Sequence, residues 1–580
     1  MFKKLLACVR DVKKHAILTP LLMIGEVGLE CTLPMITAKL INAIEAGADM
    51  SLILRYGGIL ILMAMGSMCC GILAGWFAAS AGAGFARNLR HDLFAKVQSF
   101  SFANIDKFST ASLVTRLTTD VTNVQMAFMM IIRVAVRSPL MLVFAVLMSI
   151  NMGGPVALVF LLVIPILGVG LLVIAKKAMP MFKKVFKKYD KLNNSVQENV
   201  KGMRVVKSFV REGYEQQKFG AASEDVRNDF TRVEKLLALN NPLMLLAMYV
   251  CMLLIPLLSA KTIVASGGSQ MQVGDLASLI TYAMQILMSL MMLSMIFVML
   301  TISGEAARRV TEVLDTEPTL TNPEHPVTEV KDGSVDFENV SFKYNPEARA
   351  CALADVNLHI KSGQTVGILG GTGSAKTTLI QLISRLYDVS EGSVKVGGVD
   401  VREYDMEALR NQVAVVLQKN VLFSGTIKEN LRWGDPNASD EEMIRACKQA
   451  QAHDFIMAHP EGYDRFIEQG GANVSGGQKQ RLCIARALLK KPKILILDDS
   501  TSAVDTQTDA LIRRAFREEL PDITKLIIAQ RVASVQDADL ILVMDNGRIA
   551  AQGTHEELLQ TSEIYREVYT SQTKGGEDVA

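Results

Sequence analysis

Long apolar stretches without a single charged residue dominate the first half of this 580-residue chain and restrict what it can fold into. They cover residues 56–86, 138–175, 236–260 and 276–304. Each is longer than the ~20 residues that a helix needs to cross the hydrocarbon core of a bilayer. Inside that core every backbone polar group needs a partner within the protein, which helices supply within one segment. The first half is therefore predicted to be a bundle of membrane-spanning helices.

The apolar stretches predict six spans. A further run over residues 16–38 is interrupted only by two glutamates. The stretch 138–175 is too long for one crossing and contains a turn sequence, Asn-Met-Gly-Gly-Pro, at 151–155. It is therefore predicted to form two helices, the first of which begins upstream near Ala127.

The distribution of basic residues predicts the orientation of these spans. The segments 87–123 and 176–235 are rich in lysine and arginine, whereas the connections 42–52, 151–155 and 261–275 are short and nearly free of them. Positive residues collect on the cytoplasmic side of membrane proteins. Both termini and both long loops are therefore predicted to be cytoplasmic.

The composition changes from residue 333 onward to that of a soluble α/β domain, in which apolar strand-like runs alternate with helical patterns. We predict a transmembrane domain at 1–304, a linker at 305–332 and a soluble α/β domain at 333–580. A net charge of +2 gives no reason to expect a nucleic-acid partner.

A glycine-rich loop between a strand and a helix predicts a phosphate site. Backbone N–H groups and the helix N-terminus receive phosphate, the lysine reaches the terminal phosphates, and the threonine after it ligates Mg²⁺. Ala375 departs from this pattern, because a glycine with positive φ is expected there. The loop consists of Gly370, Gly371, Thr372, Gly373, Ser374, Ala375, Lys376, Thr377 and Thr378.

A second motif, an apolar strand at 494–497, ends in two acids. Asp498 is predicted to ligate Mg²⁺, and the following residue should polarise the attacking water. Asp499 stands there instead of glutamate. Its side chain is one methylene shorter, which matters because general-base catalysis depends on geometry before pKa. Gln530 stands where the pattern has a histidine. The chain is therefore predicted to bind ATP but to have lost both residues that drive its hydrolysis. Residues 333–580 are thus a predicted nucleotide-binding domain, and the fold class is a six-helix membrane domain fused to a cytoplasmic α/β P-loop ATPase domain.

Over essentially all 580 residues the chain resembles the ATP-binding-cassette (ABC) family, in the form of an exporter half-transporter. The most specific element is Ser475-Gly476-Gly477-Gln478, close to the LSGGQ signature, which in the family closes over the nucleotide of the opposite subunit. The resemblance implies ATP and Mg²⁺ as cofactors, adenine stacking on Tyr344, Mg²⁺ sensing by Gln418 and a D-loop at 502–505. It also implies coupling helices near 102–108 and 206–213.

Three departures, at Ala375, Asp499 and Gln530, fall in the site built from the chain's own Walker motifs, whereas the signature is nearly intact. This pattern favours a heterodimer in which the partner half-transporter carries the consensus Walker B glutamate and switch histidine. The alternative is a homodimeric exporter with slow ATPase activity, in which Asp499 is a tolerated variant.

Two features of the membrane half are candidate substrate contacts. Methionines 284, 288, 291, 295 and 299 share one face of the last span, which suits varied apolar guests or plain helix packing. Glu26 and Glu30 on the first span, and Arg133 and Arg137 on the third, are each four residues apart. Charges at membrane depth are usually paired, so the two pairs are expected to face each other, as structural ion pairs or as a spot for cationic substrates.

The resemblance implies ATP-driven export of amphipathic or hydrophobic, drug-like compounds across a bacterial cytoplasmic membrane, with membrane lipids as partners. A dedicated lipid flippase remains an alternative. A regulatory subunit whose ATP site gates the partner is another. Import is disfavoured, since importers of this superfamily usually carry the two parts on separate chains.

Overall fold

The computed structural model describes residues 2–499 and 504–574, and the chain divides into two compact units. The first, the membrane unit, consists of Met1–Ser99 and Ser109–Glu317. The second, the α/β unit, consists of Phe100–Phe108 and Pro318–Ala580. The nine-residue insert 100–108 thus belongs with the α/β unit, although it lies between two membrane helices in the sequence.

Helices account for nearly all of the first 315 residues. Their bounds are α1 (Phe2–Ala7), α2 (Lys13–Glu45), α3 (Met50–Gln98), α4 (Phe102–Lys107), α5 (Thr110–Thr115), α6 (Val121–Gly153), α7 (Leu158–Lys201), α8 (Met203–Ser208), α9 (Glu212–Leu237), α10 (Asn240–Ser266) and α11 (Val273–Asp315).

The predicted spans all appear as helices. Five stretches are long and apolar enough to cross a membrane, and one of these, Thr110–Lys201, has 92 residues. A 3₁₀ turn at Gly154–Ala157 divides that stretch into α6 and α7, with Gly154 in the left-handed region at φ +48°. The six predicted spans therefore correspond to α2, α3, α6, α7, α10 and α11. The third span begins at Val121, upstream of the predicted start.

Small residues let the membrane helices approach one another closely. On α3, the alanines at 74, 78 and 81 are fully buried, and a Cβ at Gly82 would lie 2.4 Å from the Met129 side chain of α6. Between membrane helices, packing of small residues replaces the hydrophobic driving force that acts in water. A second core joins α7, α10 and α11, where the buried Tyr282 hydroxyl donates to the Cys31 carbonyl at 2.7 Å.

The predicted linker at 305–332 needs correction, because α11 continues through Asp315. Ala306, Val310 and Val313 are buried along this extension, which therefore packs as part of the membrane unit. The non-helical connection is confined to the residues after Asp315. The helix thus continues beyond the apolar stretch, which ends at residue 304.

The extension of α11 is tied to the start of α6 by two ion pairs. The buried Asp120 carboxylate accepts from Arg309 Nε at 2.7 Å and Nη2 at 2.5 Å. The Arg116 guanidinium pairs with Glu312 at 3.0 Å. A π-helical turn at Arg116–Asp120 presents both residues.

The α/β unit is built on a parallel sheet with helices around it. Its sheet has the order β12-β11-β3-β10-β9-β6, parallel except at β12, and an antiparallel sheet has the order β2-β1-β4-β5. The strands are β1 (Val335–Phe342), β2 (Leu353–Ile360), β3 (Thr365–Gly370), β4 (Glu391–Val396), β5 (Val399–Asp400), β6 (Val413–Val416), β7 (Gly425–Thr426), β8 (Phe466–Ile467), β9 (Ile494–Asp498), β10 (Thr524–Ile528), β11 (Leu540–Asp545) and β12 (Arg548–Gly553).

Nine helices of the described residues surround these sheets. They are α12 (Lys376–Ile383), α13 (Met406–Gln412), α14 (Ile427–Leu431), α15 (Asp440–Gln449), α16 (His453–Met457), α17 (Gly476–Leu489), α18 (Thr506–Glu519), α19 (His555–Thr561) and α20 (Glu563–Lys574).

The first predicted coupling segment, 102–108, contains α4, which is capped by Ser101. The second, 206–213, covers the end of α8 at Ser208 and the start of α9 at Glu212. Val210, with a φ of +50°, separates the two helices. The coupling role of both segments stays a prediction.

The Asp120–Arg309 pair gives a stability prediction. Arg309→Ala leaves the Asp120 carboxylate buried without its ion-pair partner, and we expect it to lower the free energy of unfolding by about 3 kcal/mol. Removing both charges in Asp120→Ala/Arg309→Ala should cost less than Arg309→Ala alone. The measurement is a denaturant titration in detergent micelles followed by circular dichroism.

The matched control is Arg308→Ala, because Arg308 is exposed and pairs with Glu305 one turn away on the same helix. It should change stability by less than about 0.5 kcal/mol. Equal losses for the Arg308 and Arg309 variants would show that the Asp120 pair contributes nothing specific.

Candidate nucleotide site

The phosphate loop joins the end of β3 to the start of α12, as the sequence predicted. Ala375 immediately precedes α12 and has φ +71° and ψ +23°, so the position expected to be glycine is indeed left-handed. Gly373 is left-handed as well, at φ +85°. Such a conformation costs an alanine roughly 1–2 kcal/mol. The chain therefore accepts backbone strain at the mouth of this loop.

Lys376 points back across its own loop. Its Nζ donates to the carbonyl oxygens of Gly370 at 2.8 Å and Gly371 at 2.7 Å. Burial lowers the pKa of Lys376, and the charges of Asp498 and Asp499 oppose that shift. A cation held over the loop in this way is placed for the terminal phosphates of a nucleotide.

Thr377 and Asp498 form the predicted metal corner. The Thr377 hydroxyl donates to Asp498 Oδ2 at 3.0 Å, which joins the start of α12 to the end of β9. Burial raises the pKa of Asp498, whereas the hydrogen bond from Thr377 lowers it. Hydroxyl and carboxylate oxygens are the hard ligands that Mg²⁺ prefers. Gln418 is exposed two residues beyond β6, the strand that pairs with β9.

The two substituted catalytic positions bond to each other. Gln530 Nε2 donates to Asp499 Oδ2 at 2.8 Å. The Asp499 amide donates to the Ile528 carbonyl at 3.0 Å, and the residue is buried and left-handed at φ +48°. Aspartate tolerates this conformation better than most residues with a side chain. The sequence located both positions but gave no sign of the bond between them.

Tyr344, the predicted adenine-stacking residue, presents an exposed ring beside the loop. Its hydroxyl lies 3.0 Å from Thr378 Oγ1 and donates to Gln381 Oε1 at 3.1 Å. Tyr387, which the sequence analysis missed, packs edge-on against Tyr344 with ring centroids 5.2 Å apart. The Tyr387 hydroxyl donates to Asp106 of α4 at 2.6 Å. No motif or spacing marked Tyr387, because its partner on α4 lies far away in the sequence.

The signature residues form a separate helix N-terminus rather than part of this loop. The Ser475 hydroxyl accepts from the backbone N–H of Gln478 at 3.3 Å. The side-chain Oε1 of Gln478 accepts from the backbone N–H of Ser475 at 3.0 Å. This capping box opens α17, and Gly476 and Gly477 form the first turn. Small residues at a helix N-terminus make an anion site.

The structure thus collects Tyr344, residues 370–378, Asp498, Asp499 and Gln530 around one loop, and leaves the signature on another element. Of the predicted D-loop, Ser502 and Ala503 lie outside the described residues. Asp505 caps α18 by accepting from the Thr508 amide at 2.9 Å.

Comparison with known proteins agrees with this geometry. A family profile described as "ABC transporter transmembrane region" matches residues 17–290, and one described as "ABC transporter" matches residues 353–502. The "Uncharacterized ABC transporter ATP-binding protein YfiB" of Bacillus subtilis (strain 168) is 38% identical over 552 residues, which are 95% of each chain. The chain belongs to the ABC transporter family.

Further relatives and a solved structure place the chain among the exporters of this family. A "Fatty acid ABC transporter ATP-binding/permease protein" of Mycobacterium bovis (strain ATCC BAA-935 / AF2122/97) is 33% identical, over 82% of this chain and 75% of the relative. An "ATP-dependent lipid A-core flippase" of Pseudomonas fluorescens (strain Pf0-1) is 33% identical, over 89% and 85%. A bacterial Atm1-family ABC exporter solved with ATP bound superposes with a TM-score of 0.82 at 26% identity, over 98% and 99%.

The chain is therefore an ABC exporter half-transporter, with one transmembrane domain and one ATP-binding domain that couples ATP hydrolysis to transport. The residues present fit a magnesium nucleotide. The loop amides and Lys376 would hold its phosphates, Thr377 and Asp498 its metal, and Tyr344 its base. Bound Mg²⁺ neutralises charge on the phosphates during their transfer.

The strained loop gives a second prediction. Ala375→Gly removes the φ penalty, offset in part by the greater freedom of glycine in the unfolded chain, and should stabilise the protein by about 0.5–1 kcal/mol. Gly373→Ala is the matched reverse change, because a Cβ there meets no atom within 4 Å and only the φ penalty is added.

Thermal unfolding of the two variants in detergent, followed by circular dichroism, measures both effects. The expected shifts have opposite signs. A destabilised Ala375→Gly variant would mean that the Ala375 methyl group contributes more to packing than its backbone costs.

Proposed function

We propose that this chain is one half of a heterodimeric ATP-driven exporter, whose own nucleotide site binds ATP and turns it over slowly. The supporting observation is the 2.8 Å hydrogen bond from Gln530 Nε2 to Asp499 Oδ2. It engages the one carboxylate that stands at the catalytic position.

This bond weakens the site as a hydrolytic centre for a chemical reason. A general base must reach the proton that it removes, to within about 3 Å. The Asp499 side chain is short, buried, and held towards Gln530. An amide donates a hydrogen bond but does not take up a proton near neutral pH, so Gln530 cannot supply the titratable ring of a histidine.

The nearly intact signature supports the assignment of hydrolysis to the partner's Walker motifs. The capping box at Ser475 and Gln478 leaves the N-terminal amides of α17 directed outward beside two glycines, where a γ-phosphate of a facing subunit would be bound. The partner is a second half-transporter that carries the consensus Walker B glutamate and switch histidine. Hydrolysis in the complex occurs mainly at the partner's Walker motifs, completed by Ser475, Gly476 and Gly477 of this chain.

The exported compounds are amphipathic or hydrophobic, drug-like molecules taken from the cytoplasm or the inner leaflet of a bacterial cytoplasmic membrane. A dedicated lipid flippase is the second candidate, favoured by the relatives described as a fatty acid transporter and a lipid A-core flippase. Both functions use the same ATP chemistry, so the asymmetry of the two sites can be tested before the substrate is known.

The test compares ATPase rates of the chain alone and of the chain co-purified with its partner. We expect little turnover alone and strong turnover in the complex. Gly477→Asp places a carboxylate at the phosphate-binding N-terminus of α17 and should abolish the activity of the complex. Asp499→Asn, an isosteric change at the substituted position, should change that activity by less than about twofold.

Two outcomes would contradict the proposal. Robust ATPase activity of the lone chain would show that Asp499 and Gln530 suffice for hydrolysis. A loss of complex activity in Asp499→Asn as severe as in Gly477→Asp would place the working site in this chain.

A further inference from the structure

The backbone around Gln530 is held by a side chain of the C-terminal helix α20. Gln530 lies in the segment 529–535 between β10 and β11, which we call the switch loop. Gln572 Nε2 donates to the Gln530 carbonyl at 2.9 Å, and Gln572 Oε1 accepts from the backbone N–H of Val532 at 2.8 Å. One carboxamide thus bonds to the backbone on both sides of Arg531. No motif of the sequence analysis includes Gln572.

The two bonds resemble the pairing of parallel strands. Arg531 is extended, at φ −102° and ψ 129°. In a parallel ladder, the carbonyl before an extended residue and the N–H after it bond to one residue of the neighbouring strand. A carboxamide carries both a donor and an acceptor, so it can satisfy both backbone groups at once. A carboxylate offers acceptors alone, and an aliphatic side chain offers neither.

The position of Gln572 is fixed by the packing of α20. One face of this helix carries residues three or four positions apart, namely Tyr565, Val568, Tyr569 and Gln572. Tyr565 is only 1% exposed and belongs to the core of the α/β unit. Val568 and Tyr569 pack against the same core, which also contains Val532 of the switch loop. Gln572 therefore follows directly on an apolar face that is packed against the sheet.

A second helix, α18, holds the later part of the switch loop. Arg513 Nη1 donates to the Ala533 carbonyl at 3.0 Å, and the Ser534 hydroxyl donates to Asp509 Oδ2 at 3.3 Å. The buried Asp509 also pairs with Arg513 at 3.3 Å. Side chains of two helices, one of them the helix after the D-loop, therefore hold this loop.

A held backbone at residue 530 determines where its side chain reaches. The Gln530 side chain makes the 2.8 Å bond to Asp499, and a bond of this length does not survive a shift of 1 Å. Misplacement on that scale costs catalytic sites as much as ~10²-fold in rate. Both printed bonds of the Gln572 side chain go to the switch loop. Gln572 therefore acts on the site through residue 530.

We propose that Gln572 is a positioning residue of the nucleotide site, which holds the switch loop so that the side chain at position 530 stays within reach of position 499. The C-terminal helix is then a working part of the site built from this chain's own Walker motifs. The hold on the loop is independent of the proposed heterodimer. The turnover measurement below rests on that proposed function.

Hydrogen exchange of the full-length protein in detergent, followed by mass spectrometry without nucleotide, tests the hold on the loop. Gln572→Leu keeps an aliphatic side chain but removes the donor and the acceptor. The Val532 N–H, resolved by overlapping peptides, should exchange about tenfold faster, as loss of one hydrogen bond implies. Gln572→Glu keeps an acceptor and should leave that exchange within about threefold of the native rate.

The matched control is Gln560→Leu, the same substitution at an exposed glutamine of the neighbouring helix α19. It should leave the exchange of Val532 unchanged. Equal exchange rates of Val532 in the native protein and in Gln572→Leu would overturn the inference. Equally faster exchange along all of α20 would overturn it too, because packing of the helix, and not the glutamine, would then hold the loop.

Turnover tests the positioning role. In the complex, with the partner's catalytic glutamate replaced by glutamine, this chain carries Asp499→Glu/Gln530→His and the hydrolysis rate is measured in a single turnover, per bound ATP. Adding Gln572→Leu should lower that rate about tenfold, with the amount of ATP bound at saturation unchanged. Gln560→Leu should change it less than about twofold. Counting per bound ATP removes the effect of misfolded protein.

A freed loop with an unchanged rate would overturn the inference, since residue 530 would then work without the hold. If Asp499→Glu/Gln530→His turns over ATP no faster than the native residues, the proposed cause of slow hydrolysis fails. The exchange of Val532 still decides in that case whether Gln572 holds the loop, so the two failures are distinguishable.

Discussion

The carboxyl edge of one parallel sheet is the constraint on which the nucleotide site depends. The phosphate loop follows β3, Asp499 follows the last residue of β9, Asp498, and Gln530 lies two residues after β10. Gln418 lies two residues after β6. Because parallel strands end at the same edge, residues more than 150 positions apart in the sequence become neighbours there. The bond between Thr377 and Asp498 fastens the first helix after the loop to that edge.

The same edge carries the two residues, Asp499 and Gln530, that differ from the glutamate and histidine of the family pattern. Asp499 and Gln530 are neighbours only because β9 and β10 pair in register, with Asp498 opposite Ile528. A substitution at one position therefore changes the hydrogen bonding of the residue at the other. In this chain a carboxylate and an amide occupy the two positions and are joined by the 2.8 Å hydrogen bond on which the proposed slow turnover rests.

The sequence predicted the architecture because its strongest signals are physical requirements. A charge-free stretch of some 20 residues has few alternatives to a membrane helix, and a glycine-rich loop between strand and helix has few alternatives to a phosphate site. The fold class, the six spans, the left-handed Ala375 and the pairing of Glu26 and Glu30 with Arg137 followed from such requirements. The helical extension to Asp315 did not, since hydropathy reports the membrane and not the length of a helix.

Contacts between distant segments were the other part that could not be read from the sequence. Tyr387 carries no motif, yet it lies between Tyr344 and α4, and through Asp106 it links the edge of the nucleotide site to the predicted coupling helix. This contact depends on which side chains meet after folding, which local patterns in a single sequence do not show.

The most direct test of the proposed slow half-site is to restore the glutamate and the histidine of the family pattern. In the complex, with the partner's catalytic glutamate replaced by glutamine, the double variant Asp499→Glu/Gln530→His should raise the residual ATPase rate by about tenfold or more, since a positioned general base contributes on the order of 10²–10⁴. Adding Lys376→Ala should remove the gain and thereby assign it to this site. No gain from the double variant, with ATP still bound, would contradict the proposal that Asp499 and Gln530 limit hydrolysis at this site.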